Sequence, residues 1–219
     1  MITIQQIKEN RQIRTYIEKA DEALAALGYT EHSFAHVSKV AQQAREILLT
    51  MGYSARDAEL AEIAGYLHDI GNIINRVDHA QSGAVMAFRI LDKLGADAEE
   101  ISTIISAIGN HDEATAYPVN PVAAALILAD KTDVRRSRVR NRDFVTFDIH
   151  DRVNYAVVSS TTSISEDRRK ITLKLQIDTQ ISAVMDYFEI FMQRMLLCRK
   201  AAEKLNLVFS LIINNQVIL

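Results

Sequence analysis

The chain has few of the residues that interrupt helices, with seven glycines and two prolines among its 219 residues. This scarcity favours long helices over many short strands. The one cysteine, Cys198, has no partner with which to form a disulfide within the chain. A single cysteine fits a protein of a reducing compartment.

No apolar run approaches the ~18 residues that a membrane-spanning helix requires. Residues 1–8 become polar within a few positions, so they lack the continuous apolar core of a signal peptide. A net charge of −3 provides no basic field that would favour nucleic acid. The sequence therefore predicts a cytoplasmic protein without membrane or nucleic-acid partners. Its 48% of hydrophobic residues predicts a sizeable core.

Apolar residues at helical spacing predict six helices in the first two thirds of the chain. Ser33, Ser54 and Asp97 stand at N-terminal capping positions, and Asp78 or Gln81 opens the fourth helix. The expected ranges are 3–27, 34–51, 55–70, 79–94, 98–109 and 122–130.

The pattern changes after about residue 147. Residues 171–177 alternate strictly between apolar and polar, which is typical of a half-buried strand. A second strand-like stretch precedes them at 155–163, and a helix is expected over 179–205. The last residues, 207–219, are also strand-like and are expected to fold back at Asn214-Asn215. The sequence thus predicts a mainly α fold with two domains, a helical one at 1–147 and a small α+β unit of ββαβ type at 148–219.

Several histidines and aspartates lie near predicted helix ends. His68 and Asp69 are adjacent, and adjacent residues of a helix point about 100° apart, so both reach one object only near a helix end or a seam. Asp130 ends an apolar run, where an unpaired buried carboxylate is costly. Histidine nitrogen and carboxylate oxygen are the usual protein ligands of divalent metals. The candidate ligands are His36, His68, Asp69, His79, His111 and Asp130.

Each residue taken alone also has a simpler interpretation. His36 could be a hydrogen-bonded core histidine, and His79 could be a first-turn residue behind a capping Asp78. His111 could interact with the dipole of a helix end. The ordered set is far more specific than any of its members.

The order His…His-Asp…His…His…Asp resembles that of the HD-domain metal-dependent phosphohydrolases, over roughly residues 30–140. In this resemblance His68-Asp69 is the signature pair, and His79 and His111 are the extra histidines of the dinuclear members. The resemblance implies a helical bundle and two ions. His36, His68, Asp69 and Asp130 would hold the first ion, and Asp69 would bridge to a second at His79 and His111.

The resemblance also implies the chemistry. Mixed nitrogen and oxygen ligation suits Mn, Fe, Co or Zn better than Mg. Such ions, one or two per chain, would activate a hydroxide that attacks a phosphoester, with His68 and Asp69 as the catalytic residues. The expected substrate is a nucleotide or another small phosphorylated molecule. The histidine set is most similar to that of the symmetrical dinucleotide tetraphosphate hydrolases.

One departure from the family concerns Asn72, which stands where many members have a lysine that contacts substrate phosphate. Five arginines occur within residues 135–142, and arginine binds phosphate through a bidentate fork. Such a run can equally form a solvated face or ion pairs between domains. The predicted phosphate-binding residues are Lys131, Arg135, Arg136, Asn72 and Arg76.

Two other functions stay open. One is a di-iron oxygenase, because the same ligands support oxygen chemistry in some relatives, and the other is a nucleotide-binding regulatory module without turnover. The helix at 179–205 is apolar over a broad arc, so its surplus must pack on the helical domain or on another chain. Together with exposed strand edges, this surplus predicts a homodimer.

Overall fold

The computed structural model describes all 219 residues and is mainly α-helical, with one four-stranded sheet towards its C-terminal end. This confirms the predicted fold class. The helices are α1 (Ile4–Glu9), α2 (Arg11–Ala26), α3 (Phe34–Thr50), α4 (Ala55–Leu67), α5 (His79–Lys93), α6 (Ala98–Gly109), α7 (Pro121–Lys131), α8 (Ile149–Ala156) and α9 (Val184–Lys204). The strands are β1 (Val157–Ile164), β2 (Lys170–Ile177), β3 (Val208–Ile213) and β4 (Gln216–Val217).

Side-chain caps set the starts of most helices. Ser33, Ser54 and Asp97 each accept a hydrogen bond from a backbone N–H in the first turn of α3, α4 and α6, as predicted. The single helix predicted over 3–27 is wrong, because Asn10 adopts an extended backbone that ends α1. The Asn10 side chain then caps α2.

Helix α7 is the central element of the bundle. Every residue from Val122 to Lys131 is buried, and the helix packs against α3, α4, α6 and α9. A helix that is apolar nearly all round is expected to be enclosed in this way. Its C-terminal end carries Asp130 and Lys131 into the middle of the molecule.

The sheet has the order β1-β2-β3-β4, with β2 and β3 parallel and the other neighbours antiparallel. Helix α9 makes the crossover between the parallel strands, and β3 turns into β4 at Asn214 and Asn215, both with left-handed backbones. The ββαβ arrangement and this turn agree with the sequence. Helix α8, capped by Asp148, was not predicted. The boundary at residue 147 stays a prediction.

Helix α9 joins the sheet to the helical bundle. It packs on β3 with one part of its surface and on α7 with another. Tyr187, Phe191, Met195 and Cys198 are buried, so much of the surplus apolar surface is covered within the same chain. No helix is long and apolar enough to cross a membrane.

Candidate metal centre

The His68-Asp69 pair lies where α4 changes into a short 3-10 helix over Ile70–Ile73. The predicted helix to residue 70 therefore ends three residues early, at Leu67. Asp69 has φ −96° and ψ 0°, outside the α-helical region. This change of twist lets the two adjacent side chains turn towards the same place.

Four side chains from three helices meet at this junction. His68 Nε2 lies 3.1 Å from Asp69 Oδ2 and 3.7 Å from Asp130 Oδ1. His36 Nε2, from α3, lies 3.4 Å from Asp130 Oδ1 and 3.6 Å from Asp69 Oδ2. All four residues are buried.

A second group lies on the other side of Asp69. The Nε2 atoms of His79 and His111 are 3.2 Å apart. They lie 3.7 Å and 4.0 Å from Asp69 Oδ1. The two oxygens of the Asp69 carboxylate thus face different histidines, and His68, Asp69 and His111 are also close enough together to hold one ion.

The donor atoms have the properties of metal ligands. His36 Nε2, His68 Nε2 and Asp69 Oδ2 are buried and have no hydrogen-bond partner, a costly state for polar atoms. Two ligands about 2.1 Å from one ion at ordinary coordination angles are about 3.0–3.4 Å apart, close to the spacings found here. The residues therefore fit a divalent ion.

The second nitrogen of each histidine is held by a hydrogen bond, which directs Nε2 inwards. His68 Nδ1 donates to the carbonyl oxygen of Gly65, and His36 Nδ1 donates to Asp133 Oδ2 at 2.8 Å. The Nδ1 atoms of His79 and His111 donate to backbone carbonyl oxygens in the same way.

The charge states of His79, His111 and Asp69 suit metal binding, whereas Asp69 outweighs burial and raises the pKa of His68, so His68 would release a proton when an ion binds. Burial lowers the pKa of His111 well below its usual value, and the nearby His68 and Lys131 add to this. Burial also lowers the pKa of His79. Burial alone would raise the pKa of Asp69, but the surrounding histidines outweigh it and hold that pKa well below its usual range. The imidazoles His79 and His111 are thus neutral near pH 7 and the carboxylate is ionised.

Asp133 was not identified from the sequence as part of this centre. It is fully buried, and besides His36 it accepts hydrogen bonds from Lys39 and Arg135. This carboxylate orients the imidazole of His36. Its only signal in the sequence is its place one turn after Asp130.

Asn72 differs from its predicted role. Its Nδ2 donates hydrogen bonds of 2.9 Å to Asp69 Oδ1 and to the Asp69 carbonyl oxygen, and the side chain is buried. It does not line the cavity described below. Asn72 therefore orients Asp69 and lies away from the space open to a substrate.

A cavity of about 390 Å³ lies beside the two groups of ligands. Asp69, His79, His111 and Asp130 form part of its wall, and only three of its 18 lining residues are hydrophobic. The volume suits a small-molecule ligand. Four cationic residues line the cavity, namely Arg76, Lys131, Arg138 and Arg194.

The arginines of residues 135–142 make different contacts. Arg135 donates to Asp133, and Arg136 donates to the carbonyl oxygen of Tyr155 and stacks on that ring. Neither Arg135 nor Arg136 lines the cavity beside the candidate ligands. Arg136–Arg138 form a single 3-10 turn, and Arg138 is the one arginine of residues 135–142 that lines the cavity.

Gly71 sets the position of His79. A β-carbon at residue 71 would overlap the carbonyl oxygen of His79 and the backbone nitrogen of Gly83. The start of α5 therefore lies directly on the 3-10 turn after Asp69. Asp78, one of the two residues expected to open α5, directly precedes it with a left-handed backbone of φ 57° and makes no side-chain cap.

Replacing Gly71 with alanine is expected to push α5 away from the turn and displace His79. We expect a loss of stability of about 3 kcal/mol, the upper end of the usual cost of overpacking. We also expect a lower metal content. Thermal unfolding and elemental analysis test this, with Gly109→Ala as the control, because its β-carbon would meet only Ala84 at an ordinary 3.6 Å. Unchanged metal content in Gly71→Ala would contradict the proposed role of the close contact.

Comparisons with known proteins identify similarities over part of the chain. The HD domain family model matches residues 33–135. An uncharacterised protein of Methanocaldococcus jannaschii is 27% identical over 154 residues, which cover 60% of this chain and 59% of that protein. The chain thus spans about three fifths of the length of this curated relative. A predicted HD superfamily hydrolase from an uncultured Thermotogales bacterium has a crystal structure with TM-score 0.45 and 24% identity, covering 61% of this chain and 75% of that one.

All six candidate ligands lie inside the matched segment, in the order that the family resemblance implies. The segment also includes Asp133, Lys131 and Arg135, whereas Arg138 and Arg194 lie beyond it. The segment that resembles an HD domain therefore holds every candidate ligand.

Proposed function

We propose that the chain is a metal-dependent phosphohydrolase that cleaves a phosphoester of a nucleotide or another small phosphorylated substrate. One observation carries this proposal. A group of buried histidine and aspartate donors, three atoms of which lack any partner, lies beside a cavity lined by four cationic residues. Donors suited to a divalent ion and cations suited to phosphate therefore face the same space.

The chain's own residues hold and orient the reactants. When bound, the ions supply Lewis acidity and lower the pKa of water. In hydrolysis the attacking water loses a proton as its oxygen bonds to phosphorus, the ester P–O bond breaks, and the leaving oxygen takes up a proton. Arg76 and Lys131 line the cavity where negative charge increases during this step.

Lys131 is held as a charged residue despite its burial. Burial lowers its pKa, but Asp130 and Glu113 outweigh this effect, and the net direction is upwards. Its Nζ lies 2.7 Å from Asp130 Oδ2 and 3.2 Å from Glu113 Oε2. This supports Lys131 as the phosphate contact for which many members of the family use a lysine at the position of Asn72.

We propose two ions per chain, of Mn, Fe, Co or Zn, because Asp69 turns one oxygen to each group of histidines. The group at Asp69 Oδ2 includes His36, His68 and Asp130, and the group at Oδ1 includes His79 and His111. Nitrogen-rich ligation of this kind favours these transition metals over Mg.

A panel of phosphomonoesters, phosphodiesters and nucleotides tests the function, with Mn²⁺, Co²⁺ and Mg²⁺ added in turn. We expect hydrolysis with Mn²⁺ or Co²⁺ that a chelator abolishes. Dioxygen uptake by the iron-loaded protein without hydrolysis would instead indicate the oxygenase. Tight nucleotide binding without turnover would indicate the regulatory module.

We further propose that the protein forms a homodimer through its sheet. The edge strands are β1 and the short β4, and Val208 and Val217 are exposed by 66% and 72%. Light scattering after size exclusion should give twice the chain mass of 24.6 kDa. Val217→Glu should shift the protein towards monomer, whereas Val85→Glu, equally exposed on α5, should not. A monomeric parent protein would refute this proposal.

A further inference from the structure

Two arginines outside the matched HD segment reach the cavity beside the metal centre. Arg138 lies after α7, and Arg194 lies on α9, the crossover helix of the sheet. Neither belongs to the six candidate ligands. Their positions raise the question of which anion two guanidinium groups would bind there.

Arg138 is fixed on one side and open on the other. Its Nε donates to the carbonyl oxygen of Glu31 and its Nη1 to that of Asp133, both at 2.9 Å. The residue is only 5% exposed, and its side-chain hydrogen bonds use Nε and Nη1 and leave Nη2 without a partner in the chain. A buried guanidinium whose two other nitrogens are anchored has little conformational freedom to lose on binding an anion.

Arg194 is anchored in a similar way. Its Nε donates to Glu113 Oε1 at 2.6 Å, and its guanidinium lies 4.4 Å from the ring centre of Phe191. The side chain is 23% exposed, and neither Nη atom has a partner within the chain. Glu113 and Phe191 therefore fix the plane of the guanidinium and leave its outer edge to the cavity.

Both guanidinium groups line the same cavity, so their like charges repel each other there. Burial lowers the pKa of Arg138, and the charge of Arg194 lowers it further. No carboxylate lies within ion-pair distance of both. A bound anion would relieve this repulsion, and an anion with several oxygens can accept hydrogen bonds from both groups.

We infer that Arg138 and Arg194 form a clamp for the phosphoryl oxygens of the substrate. This inference rests on the proposed phosphohydrolase function and specifies which side chains bind the phosphate. Arg138 and Arg194 thereby take the phosphate-binding role that the sequence suggested for Arg135 and Arg136. It also gives residues 148–219 a part in the site, because α9 supplies one half of the clamp.

Binding of inorganic phosphate to the manganese-loaded full-length protein, measured by calorimetry, tests the clamp. Arg194→Met and Arg138→Lys should each weaken phosphate binding about 10–100-fold, since each removes charge-assisted hydrogen bonds. The matched control is Arg199→Met, which removes an exposed arginine of the same helix. Its phosphate affinity should equal that of the parent protein.

Metal content and thermal unfolding of each variant separate a binding role from a structural one. The clamp requires weaker phosphate binding at unchanged metal content, and a raised KM where a substrate is known. Phosphate affinity that is unchanged in Arg194→Met and Arg138→Lys would contradict the clamp. It would not contradict the proposed phosphohydrolase function. Failure of the parent protein to bind phosphate would overturn it as well, whatever the hydrolysis assay shows. If Arg138→Lys does not fold, Arg194→Met alone decides.

Discussion

Replacing Asp69 with alanine is expected to remove bound metal and hydrolysis together while the helices stay folded. The physical reason is its double contact, because one oxygen faces His36 and His68 and the other faces His79 and His111. Loss of an outer partner of a metal ligand typically costs ~10–100-fold in metal affinity or activity. Loss of a ligand shared by two ions should cost more than this.

Elemental analysis, kcat/KM and far-UV circular dichroism on the same preparation measure this outcome. Asp133→Asn provides a graded comparison, because Asp133 contacts His36 Nδ1 and does not face the centre directly. It should lose about 10–100-fold in activity, less than Asp69→Ala. An Asp69→Ala protein with full metal content and full activity would disprove the assigned centre.

Replacing His79 or His111 with alanine is expected to lower the metal content from about two ions per chain to about one, since a two-metal site requires both groups of ligands. Their Nε2 atoms are 3.2 Å apart and lie 3.7 Å and 4.0 Å from Asp69 Oδ1. The ion at His36, His68 and Asp130 should therefore remain. The double variant should resemble either single variant, because residues that share one ion do not act additively.

His150→Ala is the control for these two variants. His150 lines the cavity but is exposed and lies on α8, away from the candidate ligands. Its metal content should match that of the parent protein. A parent protein with one ion per chain would rule out the dinuclear centre. His79 would then be a first-turn residue and His111 a helix-end residue, as their simpler interpretations state.

The features that could be predicted from sequence are those with a local cause. Ser33 and Ser54 indicate helix starts because a capping side chain accepts a hydrogen bond from a backbone N–H in the first turn. The alternation at 171–177 follows from the two faces of a strand. The position of His68-Asp69 at a helix end followed from the need for two adjacent side chains to reach one place.

The features that were missed depend on contacts between distant parts of the chain. Asp133 orients His36 from 97 positions away, and Arg194 reaches Glu113 from 81 positions away. Contacts between residues so far apart in the chain produce no periodic spacing and no capping pattern in the sequence. Asn72 was expected to contact substrate phosphate because of its place in a motif. In the structure it donates a hydrogen bond to Asp69, because the 3-10 turn brings the two side chains together.

The most direct test of the metal centre is a crystal structure of the manganese-loaded protein with anomalous diffraction. We expect two anomalous peaks per chain, one on each side of the Asp69 carboxylate. One peak should be bound by His36, His68 and Asp130, and the other by His79 and His111. No peak within bonding distance of Asp69, or a peak held by other residues, would contradict the centre described here.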